Sequence, residues 1–274
     1  METLKPYLRN LTDGATSANN LFKRNLLKEY LQIAVLDFIY SHPEYSRLVF
    51  YGGSCLAQCY GLPRLSEDLD FVDTEKKIKV GALAADLEKF FRNTDLKMKA
   101  TEQKFRIYLK FFLLKELGLS VGNETDQLFV KVEIFSGFDF CRKYQTEIKP
   151  LFKHNRTVLA NVFDLPTLMA TKIRAVLGRK WEKTDKSGRV IMRVKGRDYF
   201  DLMWYLEKGV KPNLACIESA AGMEELKADL LKNVEKLDER SVRLDLEAFI
   251  DDEEYVKRLS KNLKKILAAQ IEKM

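Results

Sequence analysis

The sequence predicts an α+β protein: a mixed sheet with flanking helices in the first part of the chain, followed by a helical region. Three observations carry this. Short segments in which apolar and polar residues alternate recur between residues 47 and 135, at the period of a half-buried strand. From about residue 164 the apolar residues recur at helical spacing instead. The chain has 274 residues, 46% of them hydrophobic, enough for one large core or two modest ones. A division near residue 160 separates an α/β domain, 1–160, from a helical domain, 161–274.

Residues 1–20 are polar and read as an irregular arm. Over 21–40, Leu26, Leu27, Tyr30, Leu31, Ala34 and Phe38 share helical spacing, and Pro43 ends that helix. Residues 47–51 form a buried strand. Gly52 and Gly53 then let the backbone turn sharply and approach a ligand. Ser54 is placed to cap the next helix, which closes at Gly61-Leu62-Pro63. Residues 68–72 form a second strand, in which Asp68 and Asp70 share one face and Leu69 and Phe71 the other. Residues 79–93 read as an amphipathic helix. Strands follow at 96–100, 105–111 and 128–135, with a turn at 122–126. In the last of these, Val130, Val132 and Ile134 point one way, and Lys131, Glu133 and Phe135 the other. If that strand lies beside Asp68 and Asp70, Glu133 completes a three-carboxylate metal site; otherwise it is an edge-strand residue facing water.

A short strand near Val158 precedes a helix over 164–178, with Asp164 as N-cap and Pro166 in its first turn. Lys172 falls among that helix's apolar residues. Residues 178–196 are basic and contain the turn signal Asp185-Lys186-Ser187-Gly188, which suggests a loop or hairpin. A helix opens at Arg197-Asp198, where a carboxylate suits the dipole, and ends at Gly209 and Pro212. The remainder is helical. Its last helix begins with acidic residues 251–254 and ends with Lys264, Lys265 and Lys273, a polarity that stabilises the helix itself.

The formal net charge is +7. Residues 172–211 hold twelve Lys/Arg against five Asp/Glu, so the whole excess lies there. A concentrated positive field suits a polyanion, either nucleic acid or a nucleotide's phosphates. No apolar run approaches the ~20 residues of a membrane span, and the N-terminus has no secretory pattern, so a cytoplasmic location is expected. The four cysteines, Cys55, Cys59, Cys141 and Cys216, have no zinc-site spacing and read as buried free thiols; Cys55 and Cys59 share a helix face. His42 looks like a helix-end cap and His154 a solvated loop residue, so His-based acid–base chemistry is poorly supported.

Gly-Gly-Ser after a strand is a phosphate cradle, and Asp-x-Asp on one strand face is a pair that a divalent cation such as Mg2+ or Mn2+ would hold together. A Gly turn beside a solvated acidic strand end is the alternative for either half alone. Together they suit nucleotidyl transfer, in which two carboxylate-bound metal ions activate a hydroxyl and neutralise the departing pyrophosphate. Lys172 would steady the NTP.

Gly52-Gly53-Ser54 followed by Leu62-Pro63-Arg64-Leu65-Ser66-Glu67-Asp68-Leu69-Asp70-Phe71 resembles the first motif of the AbiEii/AbiGii toxin family, within the polymerase-β-like nucleotidyltransferase superfamily. Val130-Lys131-Val132-Glu133-Ile134, the helix with Ala170-Thr171-Lys172, and Lys195-Gly196-Arg197-Asp198-Tyr199-Phe200-Asp201-Leu202 extend the resemblance over about residues 47–206. Ser54 stands where similar proteins often carry Thr, and the stretch between Lys180 and Val194 is longer than in a minimal member. The resemblance implies a nucleotidyltransferase-like fold. It implies that Gly52, Gly53, Ser54, Arg64 and Lys172 bind the nucleotide, that Asp68, Asp70 and Glu133 bind metal, and that Asp68, Asp70, Lys172 and Asp198 are catalytic. It further implies a toxin with a cognate antitoxin, and an RNA acceptor, with the tRNA 3′ end foremost. Transfer to a small molecule or a protein side chain, and a nucleotide- or RNA-binding module without activity, are the other readings. Asp70→Ala separates enzyme from module, and labelled NTP with tRNA separates the acceptors.

Overall fold

The computed structural model describes every residue except 1, 17–18, 121–125, 142, 180 and 219. Apart from Asp126, the turn expected at 122–126 lies outside the described residues. The chain forms two compact units: Met1–Phe138 with Thr146–Val162, and Asp139–Gln145 with Phe163–Met274.

The first unit opens with a helix, α1 (Lys5–Asp13), where the sequence suggested an irregular arm. Leu4, Leu8 and Thr12 are buried at four-residue intervals, a pattern too short to stand out in a polar segment. The carboxylate of Asp95 holds this helix start by accepting from Leu4 N at 2.7 Å. α2 (Asn20–Ser41) is capped by the Asn19 side chain and carries the core of the unit. Leu27, Leu31, Ile33, Ala34, Val35, Leu36 and Ile39 have no exposed surface, and each large aliphatic buried this way contributes roughly 1.5–3 kcal/mol.

Among the described residues this unit's sheet has seven strands: β1 (Val49–Tyr51), β2 (Asp68–Asp73), β3 (Met98–Gln103), β4 (Arg106–Phe112), β5 (Gln127–Ser136), β6 (Thr146–Lys153) and β7 (Arg156–Phe163). Their spatial order is β3-β4-β5-β2-β1-β7-β6. β2 is antiparallel to β1 and parallel to β5, while β1 is parallel to β7. β3, β4 and β5 form an antiparallel run. Two helices complete the unit, α3 (Gly52–Cys59) after β1 and α4 (Val80–Phe91) after β2. The sheet is thus mixed, as expected. β6 is the one strand the sequence hid: Pro150 and two lysines disguise it, and it is tolerated because β6 is an edge strand. His154 and Asn155 connect β6 to β7, both at positive φ, 51° and 59°. His154 is an exposed turn residue, as the sequence suggested, though one side of it is covered. Its ring packs 4.7 Å from Tyr30, and burial lowers its pKa.

The second unit is helical with one small hairpin. α5 (Leu165–Gly178) starts at Asp164, whose side chain accepts from Thr167 N, the predicted cap. The basic stretch forms the hairpin of β8 (Lys183–Thr184) and β9 (Val190–Met192), turning at Asp185–Gly188 as the sequence signalled. α6 (Gly196–Glu207) is buried along nearly its whole length. α7 (Met223–Val234), α8 (Glu239–Leu246) and α9 (Glu253–Glu272) follow, and α5, α8 and α9 pack on α6. Cys141 and Cys216, expected as free thiols, are joined in a disulfide across 75 residues; spacing in the sequence cannot reveal this, because the Asp139–Gln145 segment returns to the second unit. Cys55 and Cys59 are free and lie on one face of α3, as predicted.

Candidate active site

In the first unit the site is built where β1 gives way to α3. Gly52 takes φ +80°, a conformation L side chains rarely adopt. A Cβ on Gly52 would stand 2.5 Å from Asp70 Oδ2, so the missing side chain is what lets the carboxylate lie over the start of α3. A Cβ on Gly53 would stand 2.7 Å from a terminal nitrogen of Arg64. The sequence motif therefore closes on itself: the two glycines face a carboxylate on one side and a guanidinium on the other. No side chain caps α3, so the N–H groups of its first turn keep the ability to donate to an anion.

Ser54 departs from its expected role. It lies inside the helix and not at the cap, is fully buried, and donates its hydroxyl to the Asp68 carbonyl oxygen. It ties α3 to the first residue of β2. The intervening loop is pinned from α2, where Gln32 Nε2 donates to Ser66 O at 3.0 Å and Lys28 pairs with Glu67 at 3.4 Å. Arg64 is buried and donates to Leu65 O at 2.8 Å.

The β2–β5 register sets Asp68 beside Lys131 and Asp70 beside Glu133. The three carboxylates are therefore on neighbouring strands, as the sequence reading required. What fills the space between them was not foreseen. Lys131 Nζ lies 2.9 Å from Asp68 Oδ2 and 3.1 Å from Glu133 Oε1, and Arg106 Nε donates to the same Glu133 oxygen at 2.6 Å. Burial opposes the charge on Lys131, yet Asp68 and Glu133 hold its pKa above the ordinary lysine value. Burial raises the Asp68 pKa, with Lys131 opposing it. Burial, then Asp70 and Glu133, push the Tyr51 phenol far up, so it stays neutral. Among the described residues no group of three or more His, Cys, Asp or Glu is arranged to hold a metal ion. The oxygen chemistry of Asp68 and Asp70 fits a hard divalent cation, and the Gly52 opening beside Asp70 fits a ligand; Glu133 is committed to Arg106 and Lys131.

The second unit holds the other predicted residues. Lys172, on α5, reaches α6 and pairs with Asp198 Oδ1 and Asp201 Oδ2, both at 2.8 Å. Arg179 pairs with Asp198 Oδ2 at 2.9 Å. Burial works against the Asp198 charge, but Lys172, Arg179 and Lys195 outweigh it and lower its pKa to about 2. Asp201, fully buried, and Arg179 were missed as partners of Lys172 and Asp198. The i, i+3 spacing of Asp198 and Asp201 on one helix face was the available signal.

The model of the family described as "Nucleotidyl transferase AbiEii toxin, Type IV TA system" matches residues 37–273. The chain belongs to this family. The AbiEii match thus takes in both units, including the C-terminal helices in which no motif was recognised. No curated protein matches the chain. Among solved structures it is similar to JHP933 from Helicobacter pylori, at 20% identity and a TM-score of 0.47, over 91% of this chain and 94% of that one. It is also similar to a candidate nucleotidyltransferase from H. pylori, at 19% identity and a TM-score of 0.46, over 90% and 96% of the two chains. As an AbiEii nucleotidyltransferase, the chain carries Gly52, Gly53, Arg64, Asp68 and Asp70 on one continuous β1–α3–β2 segment. Among its described residues no helix is long and apolar enough to cross a membrane.

Proposed function

We propose that this AbiEii protein is a metal-dependent nucleotidyltransferase, the toxin of a toxin–antitoxin pair, which transfers a nucleotide from an NTP to the 3′ end of tRNA. The observation that carries it is the facing of Asp70 and Gly52, with Arg64 on the other side of the glycine pair. In this reading the backbone N–H groups of Gly53 and Ser54 and the Arg64 guanidinium grip the triphosphate. Asp68 and Asp70 hold Mg2+ or Mn2+, which supplies charge neutralisation and activation of the attacking hydroxyl. Glu133, tied to Lys131 and Arg106, fixes the charge balance beside them. The buried Ser54 hydroxyl sets the height of Asp68 through its carbonyl.

In the second unit we assign Lys172 to nucleotide binding, its ammonium oriented by Asp198 and Asp201. Asp198 acts through that lysine. The positive excess of residues 172–211 supports a nucleic acid acceptor over a small molecule or protein side chain. NTP and tRNA as substrates imply a cytoplasmic reaction.

The test is incubation of purified protein with Mg2+, each labelled NTP and total RNA. Label in the tRNA band, lost in Asp70→Ala while circular dichroism is unchanged, supports the proposal. Label on protein or a small molecule instead overturns the acceptor, and no label anywhere from folded wild type overturns the activity.

A further inference from the structure

Beside Asp198 the second unit contains a cavity of about 40 Å3, lined by Arg179, Trp181, Arg193, Lys195, Asp198 and Tyr199 among others. By the measure in which one water occupies ~10–15 Å3, that is room for about three waters, the size class of one phosphate group. Its electrostatics are one-sided. Both Asp198 oxygens are taken, one by Lys172 and one by Arg179, so the carboxylate does not repel an incoming anion. Arg193 uses only its backbone N–H, donated to Ser241 Oγ at 2.9 Å. Among the described residues neither the Arg193 guanidinium nor the Lys195 ammonium has a hydrogen-bond or ion-pair partner. Lys195, half-buried without a partner, is costly to place there unless an anion completes it, and the exposed Arg193 and Arg179 stand on the same wall.

Lys195 bears that cost visibly. Burial and the neighbouring Arg197 push its pKa below the ordinary lysine value, with Arg179 and Lys172 adding to the effect and Asp198 opposing it. An oxyanion in the cavity relieves this strain. Trp181 supplies what a bare phosphate does not need, a half-buried indole in the cavity wall on which a base can stack.

We propose that Arg179, Arg193, Lys195 and Trp181 form a subsite for single-stranded RNA, in which the cations hold one backbone phosphate and Trp181 stacks on an adjoining base. This rests on the RNA-acceptor reading above and specifies where the acceptor is held. The NTP's own triphosphate presents the same oxyanion chemistry, so the experiment has an arm for each source.

Trp181 and Trp204 are the only tryptophans, so a Trp204→Phe background isolates the indole in the cavity wall. In that background a short single-stranded oligoribonucleotide quenches Trp181 fluorescence, and the log–log salt dependence of its affinity is steep. Arg193→Gln with Lys195→Gln weakens RNA binding roughly tenfold or more and lowers the salt slope by about 0.7, the value for one phosphate contact on a single strand. The KM for NTP is unchanged, while the KM for RNA rises. Arg193→Lys with Lys195→Arg restores most of the binding, which separates lost charge from lost folding.

Quenching by NTP or pyrophosphate but not by RNA overturns the proposal, as does an unchanged salt slope in the double Gln variant. If wild type labels tRNA and the double variant does so with the same KM, the subsite is wrong and the function stands. If wild type labels no RNA but the oligoribonucleotide still quenches with the predicted slope, the subsite stands and the acceptor reading falls.

Discussion

Lys131 Nζ stands 2.9 Å from Asp68 Oδ2, on a strand whose parallel register sets the two residues side by side. An ammonium therefore already compensates the carboxylate that the proposed mechanism offers to a divalent cation. The ammonium and the ion compete for one oxygen. Lys131→Met is expected to raise Mn2+ affinity roughly tenfold, about 1.4 kcal/mol, because the ion no longer displaces a bound charge. Calorimetric titration of Mn2+ into apo protein reads this directly. An unchanged or weakened affinity in a folded variant means that Lys131 does not compete.

Gly52 faces Asp70 so closely that a methyl group has no place. Gly52→Ala adds strain at φ +80° and drives the Cβ against Asp70 Oδ2. The expected loss is about 1–3 kcal/mol of stability, read as a shift in the urea midpoint, together with loss of nucleotide transfer. Full activity in Gly52→Ala would contradict the close approach on which the site is built.

Asp201 has no exposed surface and shares Lys172 with Asp198. Removing it leaves a buried ammonium with half its compensation. Asp201→Ala is expected to cost about 3–5 kcal/mol, and Asp201→Asn less, because the amide still accepts a hydrogen bond. Chemical denaturation of both variants checks the order. A loss below about 1 kcal/mol for the alanine variant argues against a buried pair.

Asp198 has a pKa of about 2 in the folded chain against an ordinary 3.8, burial being overcome by Lys172, Arg179 and Lys195. The folded form gives up this proton more readily than the unfolded one. Its contribution, roughly 2 kcal/mol, is therefore present above the ordinary value and is lost as pH falls toward the folded value. Denaturant midpoints followed from about pH 6 to about pH 2 should fall over that window, and Asp198→Asn should flatten the fall. A wild-type curve that matches the variant's there removes Asp198 from the balance.

Much of this was legible in the residues. The alternation of Asp68 to Phe71 assigned its faces correctly, because one face of β2 is buried and period two leaves no other choice. Asp164 announced the start of α5 for a local reason, the side-chain acceptor it offers Thr167. What failed was pairing at a distance. Nothing in the spacing of Val130 to Ile134 says that Lys131 spans Asp68 and Glu133, since that depends on which strand β5 lies against. Ser54 has the polarity of a cap, but the helix begins two residues earlier, at Gly52, and turns the hydroxyl inward. Arg179 and Asp201 were visible as charges yet not as partners, because α5 and α6 meet only in the folded unit.

The Asp139–Gln145 segment has a consequence for how the chain is made. The first unit's sequence is interrupted by these seven residues and finishes at Val162. The partners of the interruption come later: Asn213 donates to the Lys143 carbonyl at 2.6 Å, and Arg174 stacks on Phe140 at 3.6 Å. On the ribosome the end of the segment is met as soon as the sheet is complete, Gln145 O by Asp164 N at 3.1 Å and Tyr144 by Phe163, but its start is not. Lys143 and Cys141 wait for Asn213 and Cys216, about seventy more residues of synthesis, an interval of seconds at elongation rates of ~5–20 residues per second, in which a chaperone has its clearest opportunity.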